Sequence, residues 1–136
     1  KIKFISDGDV SGALLVTDDK YSVDIFLGTG GGPEGDLAAA ALDAFDCGFQ
    51  GRFLFDTDKD KKRAKDMGID DLTKKYDLAE IVKGDSVFCA TGITSGDLVT
   101  GIKIEEDKFI SETLVTHKQS NLKKVVKLNQ KIIREA

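Results

Sequence analysis

The stretch Gly28–Ala41, GTGGGPEGDLAAAA, constrains the fold more than any other part of the chain. It places four glycines in five positions, then the only proline, then an alanine-rich run. Clustered glycines make a poor strand or helix interior, and proline is pre-organised for a first helical turn. The stretch therefore reads as a bend that ends one element and opens another. Before it, Val23-Asp24-Ile25-Phe26-Leu27 has strand character, and after it Pro33 to Phe45 has helix character, with Gly48 as the expected C′ residue.

The same alternation recurs along the chain. A strand Ile2–Ile5 ends at Ser6-Asp7-Gly8-Asp9 and leads into a helix Val10–Val16. A strand Arg52–Phe55 ends at Asp56-Thr57-Asp58 and leads into a charged helix Lys59–Met67, stopped by Gly68. After a turn-rich span, Asp85–Ala90 reads as a strand running into Thr91–Asp97. The remainder reads as hairpin-connected strands around Leu98–Ile104, Lys108–Val115 and Leu122–Leu128, followed by a basic helical tail to Ala136. This pattern predicts an α/β fold, layered, with a mixed sheet, in one domain spanning residues 1–136. At 136 residues and 40% hydrophobic composition the chain can bury one ordinary core.

Charge and composition exclude several classes of function. Twenty basic against 24 acidic residues give a net charge of −4, with no dense basic run, so nucleic acid is not an expected partner. No apolar run is long enough to span a bilayer, and no membrane association is expected; a cytoplasmic location is. Cys47 and Cys89 lack any metal-ligand spacing and are expected to be reduced, buried thiols. His117, the only histidine, is expected at the surface rather than as a catalytic base.

Ligands of open α/β sheets collect outside the carboxyl ends of strands, which directs attention to the loops. Gly30-Gly31-Gly32-Pro33-Glu34-Gly35 formally matches G-x-G-x-x-G, and Asp56 follows about 20 residues on, where a dinucleotide site has its ribose-binding acid. Two features oppose that reading. Glu34 would repel a pyrophosphate at the helix start, and Pro33 lacks an amide donor that an anion site needs. A carboxylate there suits a cation, and Mg²⁺ is commonly held by one or two carboxylates together with substrate phosphate oxygens. Alternatively, Glu34 and Asp36 only complement the helix dipole and the glycines only turn the chain. Asp7-Gly8-Asp9 has two readings as well: a turn with Asp9 as N-cap, or carboxylates that accept hydrogen bonds from sugar hydroxyls while Gly8 lets the ligand approach the backbone. Thr91–Asp97 reads as a plain turn or as a set of hydroxyls and amides facing an anion.

Five ordered motifs together resemble a known family. Asp7-Gly8-Asp9-Val10-Ser11-Gly12-Ala13, Gly31-Gly32-Pro33-Glu34-Gly35, Lys65–Asp71, Val82-Lys83-Gly84-Asp85 and Ala90–Leu98 closely resemble the class II fructose-1,6-bisphosphatases of bacteria. The resemblance runs nearly the whole chain but covers only the C-terminal part of that family's enzyme, so it implies that Lys1 is an internal residue and that the N-terminal half is absent. It implies a fold similar to the second half of the inositol monophosphatase-like sugar phosphatases. The implied activity is metal-dependent hydrolysis of the 1-phosphate of fructose 1,6-bisphosphate, a step of gluconeogenesis, with Mn²⁺ or Mg²⁺ as cofactor. Carried over by position, Glu34 matches a metal ligand, Gly31 a substrate contact, and Asp7, Gly8 and Asp9 the sugar-phosphate-binding stretch. The catalytic residues themselves belong to the absent half, which is an expected partner, and a homo-oligomer is expected. Ser95 and Thr116-His117-Lys118 depart from the family pattern, and nothing is transferred to them. The alternatives are a dinucleotide-binding Rossmann-like module and a catalytically inert half that serves only in assembly.

Overall fold

The computed structural model describes residues 1–132. Two helices, α1 (Asp9–Leu14) and α2 (Gly32–Asp43), pack against each other, and α2 also lies on the strand β3 (Val87–Thr91). A short 3₁₀ turn, Leu15–Thr17, prolongs α1, so the expected helix Val10–Val16 forms in two pieces. The alanines of α2 explain the close packing. Ala39 and Ala41 are fully buried, and side chains this small let the helix approach both α1 and the sheet. The core gathers Ala13, Leu14, Ala38, Leu42, Phe88 and Leu114. Truncating Leu14, which is 1% exposed, to alanine costs about 2–5 kcal/mol by analogy with buried leucines elsewhere.

The main sheet is built on β5 (Lys108–His117). One edge of β5 pairs with β6 (Leu122–Lys131), and β3 and β4 (Lys103–Glu105) also pair with β5. Residue alternation sets the faces. Phe88 opposite Thr116 and Ala90 opposite Leu114 face the helices, whereas Cys89, Val115, Thr113 and Val126 lie on the other face. The chain is thus a layered α/β fold, helices on sheet. A second, two-stranded sheet pairs β1 (Gln50–Arg52) with β2 (Lys75–Asp77) and is followed by α4 (Leu78–Ile81). The charged helix α3 (Asp58–Asp66) matches expectation. Thr57 caps it by accepting from the Asp60 amide at 3.2 Å, and Ala64 is its buried residue.

Several expectations need correction. Residues 2–5 and 23–27 form no ladder, because a strand exists only by pairing and these backbones meet no partner among the described residues. Every strand pair among the described residues is antiparallel. The third strand shifts to Gln50–Arg52, set by its pairing with Lys75–Asp77 inside the span expected to be turns. Helix α2 ends on Ala44, and the left-handed position is taken by Asp46 (φ 54) rather than by Gly48. Within Leu98–Ile104, only the end of the stretch contributes to a strand. Strand β6 continues to Lys131, where a helical tail was expected; positions 133–136 of that expectation lie outside the described residues. Cys89 is exposed, since its position on β3 turns it away from the helices. No helix among the described residues is long and apolar enough to cross a membrane.

Candidate functional site

The D-G-D loop and the glycine bend come together in space. Gly8 caps α1 in the left-handed conformation (φ 78, ψ 44), which brings its carbonyl under the Gly12 amide at 2.8 Å and starts the helix with Asp9. A side chain at residue 8 would be strained there. From that first helical position the Asp9 carboxylate reaches across to the bend and lies directly against Gly30. One residue on, the Glu34 carboxylate folds back over Gly31 from the first turn of α2. Neighbouring Cα atoms are about 3.8 Å apart, so two carboxylates from separate helices converge on one dipeptide. A Cβ on either glycine would meet the carboxylate end of the side chain beside it, which would have to swing aside.

Asp9 is half-buried, whereas Asp7, Gly8, Gly31 and Glu34 are exposed. An exposed carboxylate in the first turn of a helix gains from the dipole but stays open to a cation. Pro33, in that same turn, contributes no amide to an incoming anion. Both facts favour a cation beside a phosphate over a bare anion. No group of three or more His, Cys, Asp or Glu side chains among the described residues could hold a metal by itself. Two carboxylates are fewer than the roughly six oxygens a hard cation takes, so a cation site at this bend needs further donors from elsewhere. The parallel strands that frame a dinucleotide site are not seen among the described residues, which weakens the G-x-G-x-x-G match.

The Thr91–Asp97 loop uses its polar groups internally, as the plain-turn reading expects. The Gly92 amide donates to the Glu112 carbonyl at 3.0 Å, the Gly96 amide to the Val99 carbonyl at 3.1 Å and the Gly101 amide to the Ser95 hydroxyl at 3.0 Å. Tyr21 donates to the Asp97 carbonyl at 3.1 Å, and Lys3 pairs with the Asp97 carboxylate at 3.6 Å, fastening the N-terminal segment to this loop.

His117 is more engaged than a free surface residue. Its ring lies 2.7 Å from both Asp85 and Ser120, joining the start of β3 to the β5–β6 turn. Beside it, Lys118 donates to Asp43 at 2.7 Å and so ties that turn to the end of α2. Contacts 32 and 75 residues apart leave no local signal in the sequence.

A family model described as bacterial fructose-1,6-bisphosphatase, glpX-encoded, matches residues 1–130. The chain belongs to that family, the class II fructose-1,6-bisphosphatases. A relative from Synechococcus sp. (strain JA-3-3Ab), named D-fructose 1,6-bisphosphatase class 2/sedoheptulose 1,7-bisphosphatase, is 35% identical over 133 residues, covering 88% of this chain and 38% of the relative. Relatives of the same name from Trichodesmium erythraeum (strain IMS101) and Gloeobacter violaceus (strain ATCC 29082 / PCC 7421) are 34% and 32% identical, covering 93% and 89% of this chain and 40% and 39% of their own lengths. The chain therefore spans about two fifths of the length of these curated relatives.

Proposed function

We propose that this chain is the C-terminal portion of a metal-dependent phosphatase that hydrolyses the 1-phosphate of fructose 1,6-bisphosphate to fructose 6-phosphate and phosphate. The observation that carries the reading is the convergence of Asp9 and Glu34 on Gly30 and Gly31, in a chain of this family. Glu34 offers a carboxylate oxygen to Mn²⁺ or Mg²⁺. When bound, such a cation supplies Lewis-acid charge to the phosphoryl oxygens. Asp7 and Asp9 accept hydrogen bonds from the sugar hydroxyls, and Gly8 and Gly31 keep the backbone open to the ligand. Asp9, which lies against Gly30 and is half-buried, orients the sugar relative to Glu34.

The remaining ligands come from an N-terminal portion of the enzyme, in an assembly that is homo-oligomeric and cytoplasmic. One or two carboxylates cannot by themselves hold the octahedral cation that phosphoryl transfer needs. Phosphate release from fructose 1,6-bisphosphate, measured with Mn²⁺ and with Mg²⁺, tests the reading. The complete polypeptide is expected to turn over, and a homogeneous preparation of these 136 residues to release negligible phosphate. Robust metal-dependent release by the short chain alone would overturn it.

A further inference from the structure

We infer that the groove between α4, residues 82–85 and the β5–β6 turn binds a phosphate monoester with a small apolar body, at a site separate from the Asp9–Glu34 bend. The motif Val82-Lys83-Gly84-Asp85 has no part in the phosphatase site, and the structure gives it a setting of its own. The groove measures 340 Å³ and is lined by apolar Leu78, Ala79 and Val82 and by polar Lys83, Lys118 and Gln119. Pockets for small organic molecules begin at about 300 Å³ and join an apolar wall to a few polar groups.

The charge in the groove is open to an anion. Two acids also line it, and each is already held: Asp43 accepts from Lys118 at 2.7 Å, and Asp85 lies 2.7 Å from His117. Glu80, on the helix just before Lys83, is engaged by Lys74 at 2.7 Å and by the Asp77 amide at 3.1 Å. Lys83 therefore has no carboxylate partner among the described residues. An ammonium group carries three donors, so Lys118 can keep Asp43 and still reach an oxyanion.

The backbone adds donors at the same place. The amides of Lys83, Gly84 and Asp85 donate to no protein acceptor among the described residues. Lysine ammonium groups and successive backbone amides are the groups that hold phosphoryl oxygens. Two ammonium groups with adjacent amides suit the three terminal oxygens of a phosphate ester better than the two of a carboxylate. Inorganic phosphate would leave Leu78, Ala79 and Val82 uncovered, so the ligand carries an apolar body.

This site is distinct from the bend. Asp43 lies toward the other end of α2 from Glu34, about 14 Å away at the helical rise, and neither Asp9 nor Glu34 lines the groove. Binding here thus requires no metal.

Calorimetry and amide chemical shifts of these 136 residues, without divalent cation, test the inference with phenyl phosphate, inorganic phosphate, benzoate and phenol as probes. Phenyl phosphate is expected to bind saturably and to shift the amides of Lys83, Gly84, Asp85 and Gln119, each other probe being weaker by at least about tenfold. Lys83→Gln should weaken phenyl phosphate by at least about tenfold, and Lys83→Arg should retain it. Lys83 is exposed, so neither substitution should disturb the fold. Glu34→Gln should leave the affinity unchanged. Absence of saturable binding would overturn the inference, as would binding that Lys83→Gln leaves intact or whose shifts centre on Asp9 and Gly30–Glu34. Benzoate or inorganic phosphate binding as tightly as phenyl phosphate would overturn the assignment of the ligand.

Discussion

The carboxylate of Glu34 folds back over the Cα of Gly31, so the residue that closes the bend also sets where the helix presents its acid. Substitution Gly31→Ala separates these roles. The backbone there (φ −68, ψ 149) accepts alanine, and the atom in the way is the far end of a flexible side chain. Stability should fall by under about 1 kcal/mol, the usual loss of a glycine N-cap, while the Glu34 carboxylate moves. Urea unfolding is expected to change little, and the Mn²⁺ concentration for half-maximal activity of the complete enzyme to rise.

Gly101→Ala should behave in the opposite manner. A Cβ there would lie 2.5 Å from the carbonyl carbon of Thr94 and 2.6 Å from the Ser95 amide nitrogen, both backbone. Backbone cannot swing aside as a side chain can. A loss of about 1–3 kcal/mol in urea unfolding is expected, as for overpacked interiors.

Thr116→Val is expected to stabilise the chain. Thr116 is fully buried, and its hydroxyl has no hydrogen-bond partner among the described residues. Removing a buried, unsatisfied hydroxyl while keeping the shape should raise stability by about 1–2 kcal/mol, read as a higher urea midpoint.

The two thiols should differ in reactivity. Burial raises the Cys47 thiol above its ordinary pKa, with the Asp46 carboxylate acting in the same direction, whereas Cys89 is exposed. Only the thiolate reacts, so a raised pKa leaves Cys47 more protonated at about pH 8. Iodoacetamide is expected to label Cys89 first, as peptide mass mapping over time would reveal. Raising the pH should narrow the difference.

Local chemistry was the legible part of the sequence. Pro33 with the alanine run marked α2, and the charged run stopped by Gly68 marked α3, because caps, stops and helix formers act within a few residues. Segments 2–5 and 23–27 read as strands by composition, but pairing is a property of two backbones, and these two hydrogen-bond to no strand among the described residues. Strand β2 escaped notice for the converse reason: three residues of ordinary sequence became a strand only through Gln50–Arg52. At the site, the glycines and Glu34 stood out as a motif. That Asp9 lies on Gly30, 21 positions away, depends on how α1 crosses α2 and was not legible. The His117–Asp85 contact depended in the same way on the register of β3 with β5.

The role of Glu34 is tested most directly by Glu34→Gln in the complete enzyme. The amide keeps the shape and removes the charge, so the fold should lose no more than the first-turn dipole contribution of under about 1 kcal/mol. Phosphate release from fructose 1,6-bisphosphate should fall at least about 100-fold at a metal concentration that saturates the unmodified enzyme, and recover in part as Mn²⁺ is raised. Normal turnover by the Glu34→Gln enzyme at ordinary Mn²⁺ or Mg²⁺ would contradict the assignment of Glu34 as a metal ligand.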